Sequence, residues 1–462
     1  MKILVCVKQV TSGELNPFDA CALECALRIP DSEITILSMG RTNVKDMLLN
    51  LTRLGNVKGV LLSDMAFAGA DTLATGYALM KAAEKIPHDL IICGRQTIDG
   101  DTAQTGSILA KLLSIPVITN VLSIDKVTEE TIKCTTRLGN ETASLPALIT
   151  VERINELRFP SIRSKVGTVD VLNAEDIGAD VSKCGLKGSP TVVVKSFENK
   201  SGKRSCKFIE PDEFEFAVLK ALNFKHEAFT SISDGKKLDN VWIVTEKPRE
   251  MAMTVADSVT LIEKADADVL IKRIEEGKPD VVLWPSDIWG RRTAPIVSAA
   301  LNTGLCADCT ALETDGKDLF MYRPAFSGNV IAKIKCKTRP QMATVRSTQS
   351  SGDIIVAAGK GLKNDLTPAK KLAEHFGAEI AASRGLVDAG LAPYEQQIGL
   401  TGRTVAPKVY IACGISGAVH HIVGMEQSGV VIAINPDKNA PIFEYADYGI
   451  LEKAEDVVKR FR

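Results

Sequence analysis

Net charge is nearly absent from this sequence: 56 Lys and Arg against 57 Asp and Glu leave −1 at pH 7. That balance argues against nucleic acid as the main partner, because a phosphate backbone selects basic surfaces. No apolar run approaches the ~20 residues that a bilayer-crossing helix needs, so membrane insertion is not expected. The opening stretch "MKILVCVKQV" lacks a signal-peptide core and cleavage site and reads as a first strand. The expectation is a cytoplasmic protein. A Gly-x-x-x-x-Gly-Lys-Ser/Thr phosphate loop is also missing. The one C-x-x-C, Cys306 and Cys309, has no second Cys or Cys-His pair nearby to complete a zinc or cluster site, so no metal is expected. The eleven cysteines are an odd number. Cys6, Cys93 and Cys413 sit in apolar strands and Cys21 and Cys25 on a helix face, as small buried hydrophobes of a reducing compartment do.

What is present is a rhythm. Hydrophobic residues at 45% and charged residues at 24% belong to a globular chain, and 462 residues suggest roughly two to four domains. Strand-like "KILVCVKQV", "EITILSMG", "KGVLLSD" and "DLIICG" alternate with helical "NPFDACALECALRI", "NVKDMLLNLTRLG" and "DTLATGYALMKAAEKI". Such alternation makes βαβ units and a mostly parallel, doubly wound sheet. The fold expected is α/β, with tandem nucleotide-binding-type domains and a C-terminal Rossmann-like domain. The divisions are residues 1–224 with a C-terminal arm, a linker at 225–239, a shortened second domain at 240–349 and a third at 350–462. The second domain partly repeats the first. "DLIICGRQTIDGDTAQTGSILAKLLSIP" lies over "DVVLWPSDIWGRRTAPIVSAALNTGL", with Thr102-Ala103 over Thr293-Ala294 without a gap.

Two places concentrate hydrogen-bonding residues at strand ends, where an open α/β sheet leaves its crevice. The first is "GRQTIDGDTAQTG", containing Gly94, Arg95, Gln96, Thr97, Ile98, Asp99, Gly100, Asp101, Thr102, Ala103, Gln104 and Thr105. Its glycines admit a ligand and the following helix start favours phosphate. Asp99 and Asp101 would repel phosphate, so they cap the helix or accept from ribose hydroxyls; a capped turn without ligand is the plainer reading. Asn16 or Asp19, Asp71 and Thr72 are read as caps of neighbouring helices. The second place is C-terminal. Ser383 and Arg384, then Gln397 and Thr401 between Gly399 and Gly402, then His420 and His421 after a Gly-Ile-Ser-Gly turn, then Asn435 and Asp437, each follow a strand. Together they describe a large polar ligand carrying phosphates.

These stretches resemble the electron transfer flavoprotein family. The β subunit is resembled by "VKQV", "NPFDACALE", "DMAFAGADTLATG", "GRQTIDGDTAQTG" and "LPALITVERINELRFPSIR" in residues 1 to about 225. The α subunit is resembled by "GLCADCTALE", "RPQMATVRSTQ", "SRGLVDAG", "QIGLTGRTV", "CGISGAVHH" and "AINPDKNAPIFEYADYGI" further on. The resemblance implies a β-then-α fusion needing no separate subunit, and an electron carrier rather than a substrate-converting enzyme, with no catalytic residue. It implies FAD in the C-terminal domain at Lys360, Ser383, Arg384, Gln397, Ile398, Gly399, Leu400, Thr401, Gly402, Ser416, Gly417, Ala418, Val419, His420, His421, Asn435 and Asp437. Lys360 stands where the family usually has Arg, Leu400 and His420 where Gln is usual, and His421 matches the family histidine. His and Arg donors beside a flavin stabilise its reduced form.

In the β-like loop the resemblance implies a second nucleotide. It is AMP in simple carriers, or a second FAD in electron-bifurcating relatives that oxidise NADH. Cys6, Asn16, Pro17, Phe18, Asp19 and Met39 join the 94–105 loop there. Residues 155–165 match the family's recognition loop, with Ile162 as the apolar anchor for a flavoprotein dehydrogenase of the acyl-CoA dehydrogenase type, as in fatty-acid β-oxidation. An adenine-nucleotide hydrolase and a nucleotide sensor without redox role stand as the alternatives.

Overall fold

The computed structural model describes residues 1–198, 203–222, 235–326, 330–346, 352–363 and 365–460. The chain divides into two compact units. The first comprises residues 1–196, 232–326 and 331–346; the second comprises 197–231, 327–330 and 347–462.

The first unit is built on a nine-stranded sheet. Its order is Gly139–Ser144, Thr131–Thr136, Val117–Val127, Ala147–Val151, Leu90–Gly94, Lys2–Cys6, Glu33–Met39, Val57–Leu62 and Val169–Leu172. The first two strands extend the edge antiparallel, and the rest run parallel. Strands of this kind are apolar on both faces because helices cover both. Ile3 and Val5 join Leu23 of helix Pro17–Leu27 in one core, while Leu4 joins Leu79 and Leu109 of helices Thr72–Ala83 and Thr105–Leu112 in the other. Each such fully buried Leu or Ile contributes about 1.5–3 kcal/mol. A second, five-stranded parallel sheet follows the order Thr260–Ile262, Val241–Val244, Val281–Pro285, Gln341–Val345, Leu305–Cys309. Cys306 and Cys309 are buried in its core.

The second unit holds a seven-stranded parallel sheet: Lys207–Phe208, Tyr448–Ile450, Val430–Ile434, Val409–Cys413, Ile354–Ala358, Glu379–Ser383, Gln397–Ile398. The arm counted with residues 1–224 contributes here. Lys207–Phe208 pairs with Tyr448–Gly449, and helix Phe214–Leu222 buries Phe214 edge-on against Phe376. Most of the expected linker, 225–234, lies outside the described residues; Leu238 already bridges to Ala256.

Two local expectations are corrected. Thr102-Ala103 precedes its helix, with Ala103 left-handed at φ 54°, whereas Thr293-Ala294 lies inside helix Ile288–Ala300. The second copy has therefore lost the long strand-end loop, keeping only Ser286 and Asp287 before its helix. Asp308 fills that strand end, held by Arg291, Arg346 and Ser286, whose attraction outweighs burial and keeps its carboxyl far below the usual range. The other correction concerns caps. Asp71 caps its helix by accepting from Leu73 and Ala74 N–H, but Asn16, although at the cap position, does not. Its side chain bonds the Gln96 carbonyl and Ile98 N–H, because the neighbouring loop competes successfully for it.

Candidate functional site

Parallel pairing brings the C-terminal ends of Ile354–Ala358, Glu379–Ser383, Gln397–Ile398, Val409–Cys413 and Val430–Ile434 to one edge of the second unit. Every residue expected there ends or follows one of these strands. The backbone does the gathering. Gly399, at φ 136°, would put a Cβ 2.5 Å from the His420 carbonyl, and Leu400 N–H donates to that carbonyl at 2.6 Å. Gly417, at φ 91°, would put one 2.1 Å from Ile442 N. No side chain fits at either place.

Polar side chains then brace the loops. Gln397 Nε2 donates to Thr401 Oγ1 at 2.7 Å, and the Tyr394 hydroxyl donates to the Thr401 carbonyl. Asn435 Nδ2 donates to the Ile415 carbonyl at 3.0 Å while its Oδ1 accepts from Asp437 N–H at 2.9 Å. Ser383 and Arg384 are half-buried, with Arg384 reaching Asp388, and the exposed Lys360 lays its stem against Gly385. Ala418 and Val419 start the single-turn helix Val419–Ile422 that carries both histidines.

The histidines differ. His420 is exposed at its outer edge, and its pKa is pushed below the ordinary value by partial burial and then by Arg384. His421 is 7% exposed, and burial pushes its pKa down to about 4, with the Ile398 backbone opposing this only in part. Its Nε2 lies 2.8 Å from the Tyr410 hydroxyl. At neutral pH it is uncharged.

The second gathering is in the first unit, after strand Leu90–Gly94, and its polar groups are paired with one another. Lys8 meets Asp99 at 2.9 Å, Gln96 Nε2 donates to Asp101 at 3.2 Å, and Arg95 bonds Glu152 at 2.9 Å. Gly100 N–H donates to Asp99 at 2.7 Å, Asp101 N–H to the Thr97 carbonyl, and Thr72 Oγ1 to Gln104 at 2.8 Å. Neither aspartate caps helix Thr105–Leu112, which follows Gln104 without a side-chain cap. They are spent on shaping the loop. Asp19 is fully buried, accepts from Lys8 N–H, and has its pKa raised to about 7 by desolvation; Pro17 opens its helix and Phe18 packs beside it. Cys6 and Met39 end adjacent strands, with Cys6 level with Cys93, whose thiol the Cys6 contact and burial push upward.

Strand Leu319–Ala325 reaches this loop from far along the chain. Phe326 N–H donates to the Asp99 carbonyl at 3.1 Å and Arg323 Nη2 to the Gly100 carbonyl at 2.8 Å. Arg323 is only 6% exposed, its Nε has no partner, and no carboxylate among the described residues pairs with it. A buried cation without a counter-ion is costly.

Comparison with known proteins decides the kinship. The electron transfer flavoprotein domain matches residues 3–177 and 251–375, and the electron transfer flavoprotein FAD-binding domain matches residues 350–426. The chain belongs to the electron transfer flavoprotein family. It is similar to the electron transfer flavoprotein subunit alpha of Thermoanaerobacterium thermosaccharolyticum, 38% identical over 232 residues, 40% of this chain and 70% of that one. It is also similar to the subunit beta of Megasphaera elsdenii, 41% identical over 236 residues, 43% of this chain and 87% of that one. A third relative is the lactate dehydrogenase (NAD(+),ferredoxin) subunit LctC of Acetobacterium woodii, 37% identical over 263 residues, 45% of this chain and 63% of that one. One chain thus carries likeness to both subunits.

The FAD-binding match spans the strand ends from Lys360 to His421; Asn435 and Asp437 lie beyond it. The residues present fit such a group. Gln397 Oε1 and His421 Nδ1 are buried without partners, and the N–H groups of Ser416, Gly417 and Ala418 donate to no group among the described residues. Two cations, Lys360 and Arg384, end adjacent strands nearby. Sequence reading missed Lys8, Glu152, Arg323 and Tyr410. The last two were readable only as polar interruptions in the apolar strands "LFMYRPA" and "VYIAC".

Proposed function

We propose that this protein carries electrons between flavoprotein dehydrogenases and a redox acceptor through FAD held at the C-terminal strand ends. A second nucleotide, AMP or another FAD, sits at the 94–105 loop. The observation that carries the reading is the matched FAD-binding domain whose strand ends present unpaired donors and acceptors beside Lys360 and Arg384. Bound FAD supplies the one- and two-electron chemistry. Lys360, Arg384 and the Ser416–Ala418 N–H groups would take the pyrophosphate or other anionic oxygens, while Gln397, Thr401 and His421 offer polar partners to a ring edge. His421, being neutral, would act there as a dipole rather than a charge.

At the second loop, Arg323 supports an anionic ligand, because such a ligand supplies a counter-ion that no described residue provides. With a second FAD the chain would also oxidise NADH in a bifurcating scheme, which the NAD(+),ferredoxin name of one relative supports. Ile162 is 99% exposed and Phe159 95%, on a stretch anchored by Arg158 to Glu24. That supports docking of a dehydrogenase, of the acyl-CoA dehydrogenase type, at residues 155–165. The decisive experiment denatures the purified protein and identifies the nucleotides released. FAD with AMP, or two FAD, upholds the reading and chooses between its forms; colourless protein overturns it.

A further inference from the structure

Tyr410 is the second residue of Val409–Cys413, the middle strand of the seven-stranded sheet, and its side chain is fully buried. Among the described residues the hydroxyl has one hydrogen-bond partner, His421 Nε2 at 2.8 Å, and the two rings tilt by 58° with centroids 6.2 Å apart. A phenol carries one hydrogen, and a buried hydrogen without an acceptor is penalised. If Nε2 were the donor, the Tyr410 hydrogen and the Nδ1 lone pair would both be buried without a partner, whereas a donating hydroxyl leaves only Nδ1–H unmet. The hydroxyl therefore donates and Nε2 accepts through its lone pair, so the single proton of the neutral ring belongs on Nδ1. Nδ1 itself is buried without a hydrogen bond among the described residues, and His421 stands beside the Gln397–Gly402 loop, its Cα 3.3 Å from where a Cβ on Gly399 would lie.

We propose that Tyr410 is a positioning residue that holds His421 as the neutral Nδ1–H tautomer, leaving a fixed donor at the edge of the cofactor loop. The choice is not the default, because a free neutral imidazole favours the Nε2–H form. A phenol donating to Nε2 also withdraws electron density from the ring and sharpens Nδ1–H as a donor. The influence on a bound flavin is then that of a fixed dipole, constant through the neutral pH range.

This rests on the FAD reading for its consequence but not for its core, and one set of measurements separates the two. Long-range proton–nitrogen spectra of the protein labelled with 15N-histidine report the tautomer directly. The expected result is His421 protonated at Nδ1 only between pH 6 and 8, with Tyr410→Phe introducing the Nε2–H form and lowering the midpoint potential of the bound flavin. A wild-type His421 protonated at Nε2, or at both nitrogens, overturns the proposal, as does an unchanged tautomer in a folded Tyr410→Phe protein. If that variant fails to fold, the wild-type spectrum alone decides. If the protein holds no FAD, the functional reading fails while the tautomer still tests this inference.

Discussion

Glu24 and Arg158, 134 positions apart, meet carboxylate to guanidinium at 2.9 Å, and Arg158 N–H bonds the same carboxylate. Arg28 approaches Glu24 from its own helix at 2.8 Å. The Arg158 hydrogen bond, ahead of the opposing effect of burial, brings the Glu24 pKa down to about 2 from 4.5. This pair is the footing of the segment that carries Phe159 and Ile162.

The first prediction is a pH-dependent loss of stability through that footing. Because the folded pKa is depressed, the stabilisation is fully present above about pH 4.5 and fades as pH falls toward 2. Arg158 is nearly half-exposed, so solvent screening reduces the net contribution to about 1 kcal/mol. Glu24→Gln should melt lower than wild type at pH 7, and the gap should close as pH falls from 4.5. A gap independent of pH would assign the loss to packing instead.

His421 predicts a slope of the same sign, in a higher pH window and for a different reason, burial of a neutral ring. Its pKa falls from 6.5 to about 4 on folding, so the unfolded chain takes up the proton first as pH drops. Stability is unaffected above about pH 6.5 and is lost between 6.5 and 4, by up to about 3 kcal/mol. Denaturant titrations of wild type and His421→Asn across that window should converge as pH falls. His421→Ala should also lower the flavin potential more than His420→Ala, because His421 is the buried, hydrogen-bonded imidazole; equal shifts in spectroelectrochemical titration would defeat the assignment.

How much of this was legible depended on range. Strand and helix alternation was readable because apolar runs such as "LIIC" and "VYIAC", and a cap such as Asp71, act over a few residues. The gathering of Arg384, Thr401 and His421 on one edge was readable for the same reason, since parallel strands end together. What failed depended on distant partners. Asn16 looks like a cap until the loop at Gln96 and Ile98 claims its side chain. Arg323 meets Gly100 across 223 positions, which no local pattern announces. The identical Thr-Ala pairs misled because one precedes a helix and the other lies within one.

The third prediction uses Arg323, Asp99 and Asp101 together. Arg323→Met removes a buried cation, so the nucleotide-free protein should be as stable as wild type or more so, while retention of the second nucleotide should fall about tenfold or more. Replacing Asp99 and Asp101 with Ala removes the partners of Lys8 and Gln96 and should deplete the same nucleotide. The C-terminal flavin should stay bound in each case, as counted by absorbance and by chromatography of released nucleotides. Joint loss of all flavin would show that the two sites are not independent.

The last prediction concerns Ile162. A loop residue of this kind ordinarily folds back on the core, and neighbouring Leu157 does pack against the first unit's core. Ile162 does not: it is 99% exposed, Phe159 beside it is 95% exposed, and Arg163 follows on the surface. Two large apolar side chains held outward on an anchored segment lose water contact only when a partner covers them. Burial of an Ile side chain at an interface contributes on the scale of a strong contact, so Ile162→Ala should weaken docking to a cognate dehydrogenase by about 1–3 kcal/mol. Removing an already exposed side chain costs the fold nothing comparable, so the melting temperature and flavin content should match wild type. Glu24→Gln should also weaken docking, more mildly, by loosening Arg158 rather than removing the anchor. Electron transfer to the dehydrogenase, followed against its concentration beside a melting curve, checks all three quantities. Normal transfer with a lowered melting temperature would place Ile162 in the core after all and end the docking assignment.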